Sequence, residues 1–305
     1  MDIGIFGVGS FGEKHIKVLQ MISSFNIVGF FDPDTKRQKY IQDKYKLKAY
    51  PNPKNLITDV DAVDIASSTE THCEMIKMSM HHNKHIFVEK PICLTEIEID
   101  KIMTHSKEYT SILQVGHIER YNPAITKEIM ELQEIQSISC KRSGPLNNRN
   151  RNIPITLDLM IHDIDLIISI FKSNILQIKA IKKIENHSTQ EKIEKILCEI
   201  KFQNGKTAYL DSERGTHNNR VMTIDCVNKK FIIDLLHRKQ LLINKNTDQK
   251  IQKTTLFNNK NINPLKNEFL DFQKSIEKNK KPEISIEEGC KAVKVALEIE
   301  KIISK

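Results

Sequence analysis

Short apolar runs set the rhythm of the first third of this chain. They recur at residues 3–6, 27–31, 62–66, 85–88 and 112–115, and the segments between them repeat apolar residues at helical spacing. Strand-length runs alternating with amphipathic helices predict a doubly wound α/β domain with a parallel sheet. The segment from Thr71 to Met80 is the clearest helix, and Asn83 stands where a left-handed residue would end it before the next strand.

Beyond Pro123 the pattern changes. It predicts a helix over 126–132, a strand over 135–141, a polar loop over 144–152 and a second helix over 155–171. Strand-like runs follow at 175–184, 193–202, 206–212, 220–227, 230–235 and 240–243, joined by turn signals such as Gln203-Asn204-Gly205. They read as an open, mainly antiparallel sheet. Residues 246–263 read as loop, and helices over 264–278 and 286–303 close the chain. Two domains are expected, 1–120 and 121–305, with the C-terminal helices able to pack back on the first.

Composition narrows the partners. The 305 residues carry a net charge of +8, but Lys and Arg alternate with Asp and Glu throughout, with no basic block interleaved with aromatics. That excludes nucleic acid and leaves a basic surface suited to an anionic small molecule. Six cysteines without short pair spacing exclude zinc knuckles and a disulfide framework, pointing to a reduced cytoplasm. No export signal is read at Met1-Asp2, and the longest apolar stretch, 166–171, is too short to span a bilayer. His81, His82 and His85 read as a helix end and a strand start, so no metal is expected.

Gly7-Val8-Gly9-Ser10-Phe11-Gly12 follows the first strand and opens the first helix, the context in which such glycines cradle a dinucleotide. Gly7 permits the tight turn, Gly9 the approach of a pyrophosphate, and Gly12 close helix–strand packing. Asp32 ends the second strand, where a carboxylate accepts the adenosine ribose hydroxyls. NAD is thereby preferred over NADP, although Lys36 and Arg37 lie near. Ser67, Ser68 and Thr69 follow the next core strand, to serve the cofactor or to cap a helix. Glu89-Lys90-Pro91 ends the 85–88 run and puts a lysine at the carboxyl edge of the sheet. Asp158 and His162 are four apart in a helical stretch, so a carboxylate can orient an imidazole; an ion pair or a packed core histidine gives the same spacing.

In order and approximate spacing, Gly7-x-Gly9-x-x-Gly12, Asp32, Glu89-Lys90-Pro91 and Asp158-x-x-x-His162 resemble the glucose-fructose oxidoreductase and inositol dehydrogenase (Gfo/Idh/MocA) family over nearly the whole chain. The resemblance implies an N-terminal Rossmann domain, a C-terminal α+β domain, and NAD(P)-dependent oxidation or reduction of sugar-like alcohols. It places Lys90, His162 and Asp158 at the reacting carbon. Ser10, Phe11, Ser67, Ser68, His72 and Glu89 join the glycines and Asp32 at the cofactor. The stretches 114–123 and 157–165 resemble members that oxidise C3 of UDP-N-acetylhexosamines, above all UDP-N-acetylglucosamine, whose 3-keto product feeds amino-sugar and lipid A biosynthesis. Ser67-Ser68-Thr69 departs from the proline-containing loop usual before the histidine matching His72.

The resulting expectation is a cytoplasmic, homodimeric or homotetrameric dehydrogenase acting on a nucleotide sugar. His162 is the preferred base, oriented by Asp158, and Lys90 stabilises the alkoxide, with the roles exchangeable. Arg120, Asn122, Arg149 and Arg151 are candidates for the diphosphate or uridine, with solvated loop residues as the alternative, the reading favoured for Arg149 and Arg151. The alternatives are an inositol, free sugar or imine as substrate, or a non-catalytic dinucleotide-binding sensor.

Overall fold

In the computed structural model, the residues described are 1–145, 152–186, 192–215, 217–245, 251–258 and 262–305; Arg149 and Arg151 lie outside them. They divide into two units, one of residues 1–118 and 263–293, the other of 119–262 and 294–305. The first leg of the chain in the first unit ends at residue 118, and the chain returns to that unit over residues 263–293.

The first unit begins with β1 (Asp2–Phe6), α1 (Ser10–Leu19), β2 (Asn26–Phe31), α2 (Thr35–Tyr45), β3 (Lys48–Ala49), α3 (Pro53–Thr58) and β4 (Ala62–Ile65). It continues with α4 (His72–His81), β5 (His85–Glu89), α5 (Glu96–His105) and β6 (Leu113–Gly116). All pairings in this sheet are parallel, in the order β3-β2-β1-β4-β5-β6. The order reverses between β1 and β4, and open α/β sheets bind ligands at the carboxyl ends of such a switch point. β3, two residues long, escaped the periodicity because it is too short to show one.

The helix ends are explicit in the sequence. Asp34 accepts from the amides of Lys36 and Arg37 to start α2, and Thr95 with Glu98 forms a capping box on α5. Asn83 is left-handed, φ 48°, one residue past the C-cap of α4.

The second unit contains α6 (Lys127–Met130), β7 (Ile135–Gly144), a π-helical turn (Thr156–Met160) running into α7 (Ile161–Phe171), and β8 (Ile175–Asn186). Next come β9 (Lys192–Phe202), β10 (Thr207–Arg214), β11 (Asn219–Cys226), β12 (Lys229–Asp234), β13 (Lys239–Lys245) and β14 (Ile251–Asn258). These eight strands form one sheet, β14-β13-β12-β11-β7-β10-β9-β8, antiparallel except where β10 runs parallel to β7. One face alternates into a core through Ile138, Cys140, Ile196, Ile200, Leu210 and Ile224, all buried. β14 corrects the expected 246–263 loop. An edge strand is held by its ladder with β13, so a polar sequence can pair without showing the alternation of a half-buried strand.

The chain ends with α8 (Pro264–Glu277), capped by Asn263 and started by Pro264, and α9 (Ile286–Ile303). In the first unit Phe269 and Phe272 of α8 join Ile3, Ile5, Phe30 and Phe87 in a core with essentially no exposure. Among the described residues no helix is long and apolar enough to cross a membrane, and no group of His, Cys, Asp and Glu is arranged to hold a metal. All six cysteines are buried thiols.

Candidate functional site

The three glycines of the turn differ in their surroundings. Gly7 takes φ +86°, and a Cβ there would lie 2.3 Å from Ser67 Cα, so the turn after β1 closes directly against the loop after β4. A Cβ on Gly12 would lie 2.1 Å from the Gly7 carbonyl oxygen. Gly9 differs, because a Cβ there would meet nothing within 4 Å and the residue is exposed. No protein atom crowds Gly9, and the opening lies at the N-terminus of α1, where amides and the helix dipole favour a phosphate. Ser10 is exposed and Phe11 half-buried on this first turn.

Asp32 is buried and braces the turn from the adjacent strand end. Its Oδ2 accepts the Val8 amide at 2.8 Å and its Oδ1 the Asp34 amide at 3.0 Å. Arg37 donates to the Val8 carbonyl at 2.6 Å, to the Gly9 carbonyl at 3.2 Å and to Glu13 at 2.6 Å. Lys44 and Tyr45 also reach Glu13, at 2.9 and 2.8 Å. The Lys44 contact, with help from Arg37 and Tyr45, holds the Glu13 carboxyl down at about 2 against the opposing pull of partial burial. The guanidinium nearest the turn is therefore already neutralised by an acid of its own unit.

His72, the first residue of α4, joins two loops. Its ring nitrogens lie 3.2 Å from the Ser67 carbonyl and 2.9 Å from that of Pro91. Ser67 Oγ lies 2.7 Å from Thr71 Oγ1, and Ser68 sits at the start of a short 3-10 turn without capping it through its side chain. Glu89, at the end of β5, accepts the Lys90 amide at 3.2 Å, and Lys90-Pro91 is a cis peptide. Lys90 itself is half-buried. The unit thus gathers the glycine turn, Asp32, Ser67, Ser68, His72, Glu89 and Lys90 at the carboxyl end of one parallel sheet.

Two residues that sequence reasoning did not single out stand behind this edge. His15, on the buried face of α1, lies 2.9 and 3.0 Å from the Asp64 carboxylate through Nδ1 and 3.1 Å from Glu89 through Nε2. The signal was present in the chain: Asp64 is a charged residue in a strand, Ala62-Val63-Asp64-Ile65, whose every position is buried.

In the second unit, Asp158 sits in the π-helical turn and His162 is the second residue of α7, both half-buried. The four-residue spacing was read on a regular α-helix, whereas the wider turn changes the angle between Asp158 and the residues of α7. A partner the sequence did not suggest, Arg214 at the end of β10, places its guanidinium 3.6 Å from the Asp158 carboxylate and donates to the Ile153 carbonyl. The residues flanking His162 on α7 are locked. Asp163 receives two bonds from Arg142, at 2.8 and 2.9 Å, and Asp165 two from Arg120, at 2.7 and 2.9 Å.

Arg142 also donates to Glu119 at 3.0 Å. Burial alone would lift the Glu119 carboxyl, but Arg142 and Arg220 hold it below its ordinary range. Asn122 donates to Glu119 at 2.8 Å and to the Leu235 carbonyl at 2.9 Å, and accepts the Ala124 amide at 3.0 Å. Arg120 and Asn122, expected at the substrate, bind groups of their own unit, and the Arg120 pair with Asp165 ties the segment before β7 to α7, which bears His162. A bidentate buried pair is geometrically demanding, which suits it to fixing the rotation of a helix.

The model of an oxidoreductase family with an NAD-binding Rossmann fold, GFO_IDH_MocA, matches residues 1–117. The chain is 30% identical over 186 residues to the UDP-N-acetylglucosamine 3-dehydrogenase of Acidithiobacillus ferrooxidans, a match covering 59% of this chain and 58% of that protein. It is 24% identical to the myo-inositol 2-dehydrogenase of Thermotoga maritima over 96% of this chain and 93% of the other. A solved structure of the Acidithiobacillus enzyme superposes with a TM-score of 0.89 at 24% identity, covering 99% of this chain and 97% of that one, which shows a shared fold.

Proposed function

We propose that this chain, whose residues 1–117 match the model of the GFO_IDH_MocA oxidoreductase family, is an NAD-dependent dehydrogenase of a sugar secondary alcohol, C3 of UDP-N-acetylglucosamine or a related UDP-hexosamine. The observation that carries the reading is Lys90, held by its backbone at the carboxyl end of the same sheet edge as the open Gly9 turn. When bound, the nicotinamide supplies the hydride acceptor. The substrate class rests on the likeness to the Acidithiobacillus enzyme.

Gly7, Gly9 and Gly12 with the first amides of α1 would hold the dinucleotide pyrophosphate, and Asp32 would serve as the carboxylate for the adenosine ribose. Arg37, the cation best placed to meet a 2′-phosphate, is engaged by Glu13, which favours NAD over NADP. His162 takes the proton of the sugar hydroxyl, with Asp158 as its orienting carboxylate and Arg214 holding that carboxylate in place. Lys90 stabilises the oxygen as negative charge develops. The 3-keto product suits transamination to a 3-amino sugar, as amino-sugar and lipid A assembly would require.

A second reading is favoured by one observation, the nearly full-length match to an inositol dehydrogenase. Initial rates of NAD reduction across UDP-N-acetylglucosamine, UDP-N-acetylgalactosamine, myo-inositol and glucose separate the two. We expect turnover on the UDP-hexosamines, lowered about a hundredfold or more in Lys90→Met with NAD binding retained. Turnover confined to free polyols overturns the nucleotide-sugar reading, and NAD binding without turnover on any alcohol leaves a dinucleotide sensor.

A further inference from the structure

A buried chain of charge lies behind Lys90, and the roles proposed above make no use of it. His15 is fully buried, ringed by Phe11, Phe87 and Phe269 with ring centroids 6.0, 5.9 and 5.3 Å away. Its Nδ1 faces both oxygens of Asp64, also fully buried, and its Nε2 faces one oxygen of Glu89. Burial in this cage pulls the imidazole towards neutrality, but the charges and hydrogen bonds of Asp64 and then Glu89 outweigh it and hold the ring protonated up to about 10. As an imidazolium it donates to both acids and opposes the burial that pushes the Asp64 carboxyl up.

An ion triad in an aromatic cage is a poor device for stability. Desolvating three charges costs much of what their attraction returns, and apolar packing of the same volume stabilises at least as well. Such a triad does fix geometry. The second Glu89 oxygen accepts the amide of Lys90, so the chain of contacts runs from α1, the helix that opens the glycine turn, through Glu89 to the backbone of the lysine.

We infer that His15 is a positioning residue for Lys90, acting through Glu89. It makes no contact with substrate in this role: it holds the Glu89 carboxylate in the one orientation that ties the Lys90 backbone to α1. The inference rests on the proposed catalytic role of Lys90, so its test needs a readout that does not depend on turnover.

That readout is the acetylation of Lys90 by a limiting anhydride, followed by mass spectrometry on the NAD-saturated protein. Lys84, at the other end of β5 and bonded to the Val60 carbonyl at 2.7 Å, serves as internal reference. In His15→Gln we expect the Lys90 rate to rise severalfold relative to Lys84, with NAD affinity within about threefold of wild type. Glu89→Gln, which keeps the volume of the intermediary and removes its charge, is expected to raise the Lys90 rate over Lys84 in the same way and carries the test should His15→Gln not fold. On whichever alcohol the wild type oxidises, kcat should fall about ten- to a hundredfold at little changed KM, the scale on which a small misplacement of a catalytic group acts. In a Lys90→Met background the same substitution should cost nothing further.

Unchanged labelling in both variants, an equal rise at Lys84, or an equal loss of kcat with and without Lys90 overturns the inference. A wild type that oxidises none of the sugars refutes the function proposed above, while the labelling still decides the role of His15.

Discussion

At the scale of single residues, the glycine turn yields the sharpest expectation. Gly12→Ala puts a methyl group 2.1 Å from a backbone oxygen that has no freedom to leave, because Gly7 is itself pressed against Ser67. We expect a stability loss of about 1–3 kcal/mol by urea unfolding and a weakening of NAD binding of at least about tenfold by fluorescence titration. Gly9→Ala, with nothing within 4 Å, should leave stability within about 1 kcal/mol and act on NAD affinity alone. A Gly9 variant as unstable as Gly12→Ala would show that packing, and not the ligand, requires that glycine. The turn was legible because its residue types are dictated by local backbone geometry. His15, Asp64 and Arg214 were not assigned, since their partners lie 49, 74 and 56 positions away, separations the fold alone closes.

At the scale of elements, charge ties α2 to α1. Arg37, Lys44 and Tyr45 of α2 all reach Glu13 of α1, whose side chain is only 14% exposed. The Glu13 carboxyl is held at about 2 in the fold, against an ordinary 4.5 when the chain is open. A depressed folded value means that the contribution is complete above about pH 4.5 and disappears as pH falls through about 2. Glu13→Gln should therefore destabilise at pH 7 by on the order of 1 to 3 kcal/mol, a range that discounts the partial exposure of the cluster. The difference from wild type should shrink steadily between pH 4.5 and 2. A constant difference across that range, measured by urea midpoints, would show that the glutamate acts by packing. Elements with clear periods, such as α8 and α9, stood in the sequence almost to the residue. The π-helical turn at Thr156–Met160 did not, because one inserted residue's worth of backbone leaves the apolar pattern of 155–171 helical throughout.

For the whole molecule, the sheet of the second unit poses a problem that the core does not solve. Its inner face is closed, but the opposite face carries Ile181, 53% exposed, and Tyr209, 45% exposed, with half-buried Leu197, Val221, Ile232 and Leu241 along neighbouring strands. The registers put Ile181 opposite Leu197 and Leu197 opposite Asp211, two positions from Tyr209, so these side chains share one surface. Between them run Lys195 with Asp211 at 3.1 Å and Lys201 with Glu199 at 3.8 Å, pairs that spare a facing surface unmatched charge. An apolar strip crossed by internally neutralised pairs is suited to a second copy of itself, since a two-fold axis sets each patch against its equal. We expect sedimentation at micromolar concentration to give a dimer or tetramer, and an Ile181→Lys, Tyr209→Lys double variant to sediment as smaller species at the same concentration. NAD binding, which the glycine turn of the first unit would supply, should survive that change within about threefold. A wild type that sediments as a monomer would leave this face to water, and a double variant that keeps its assembly would move the interface to another surface.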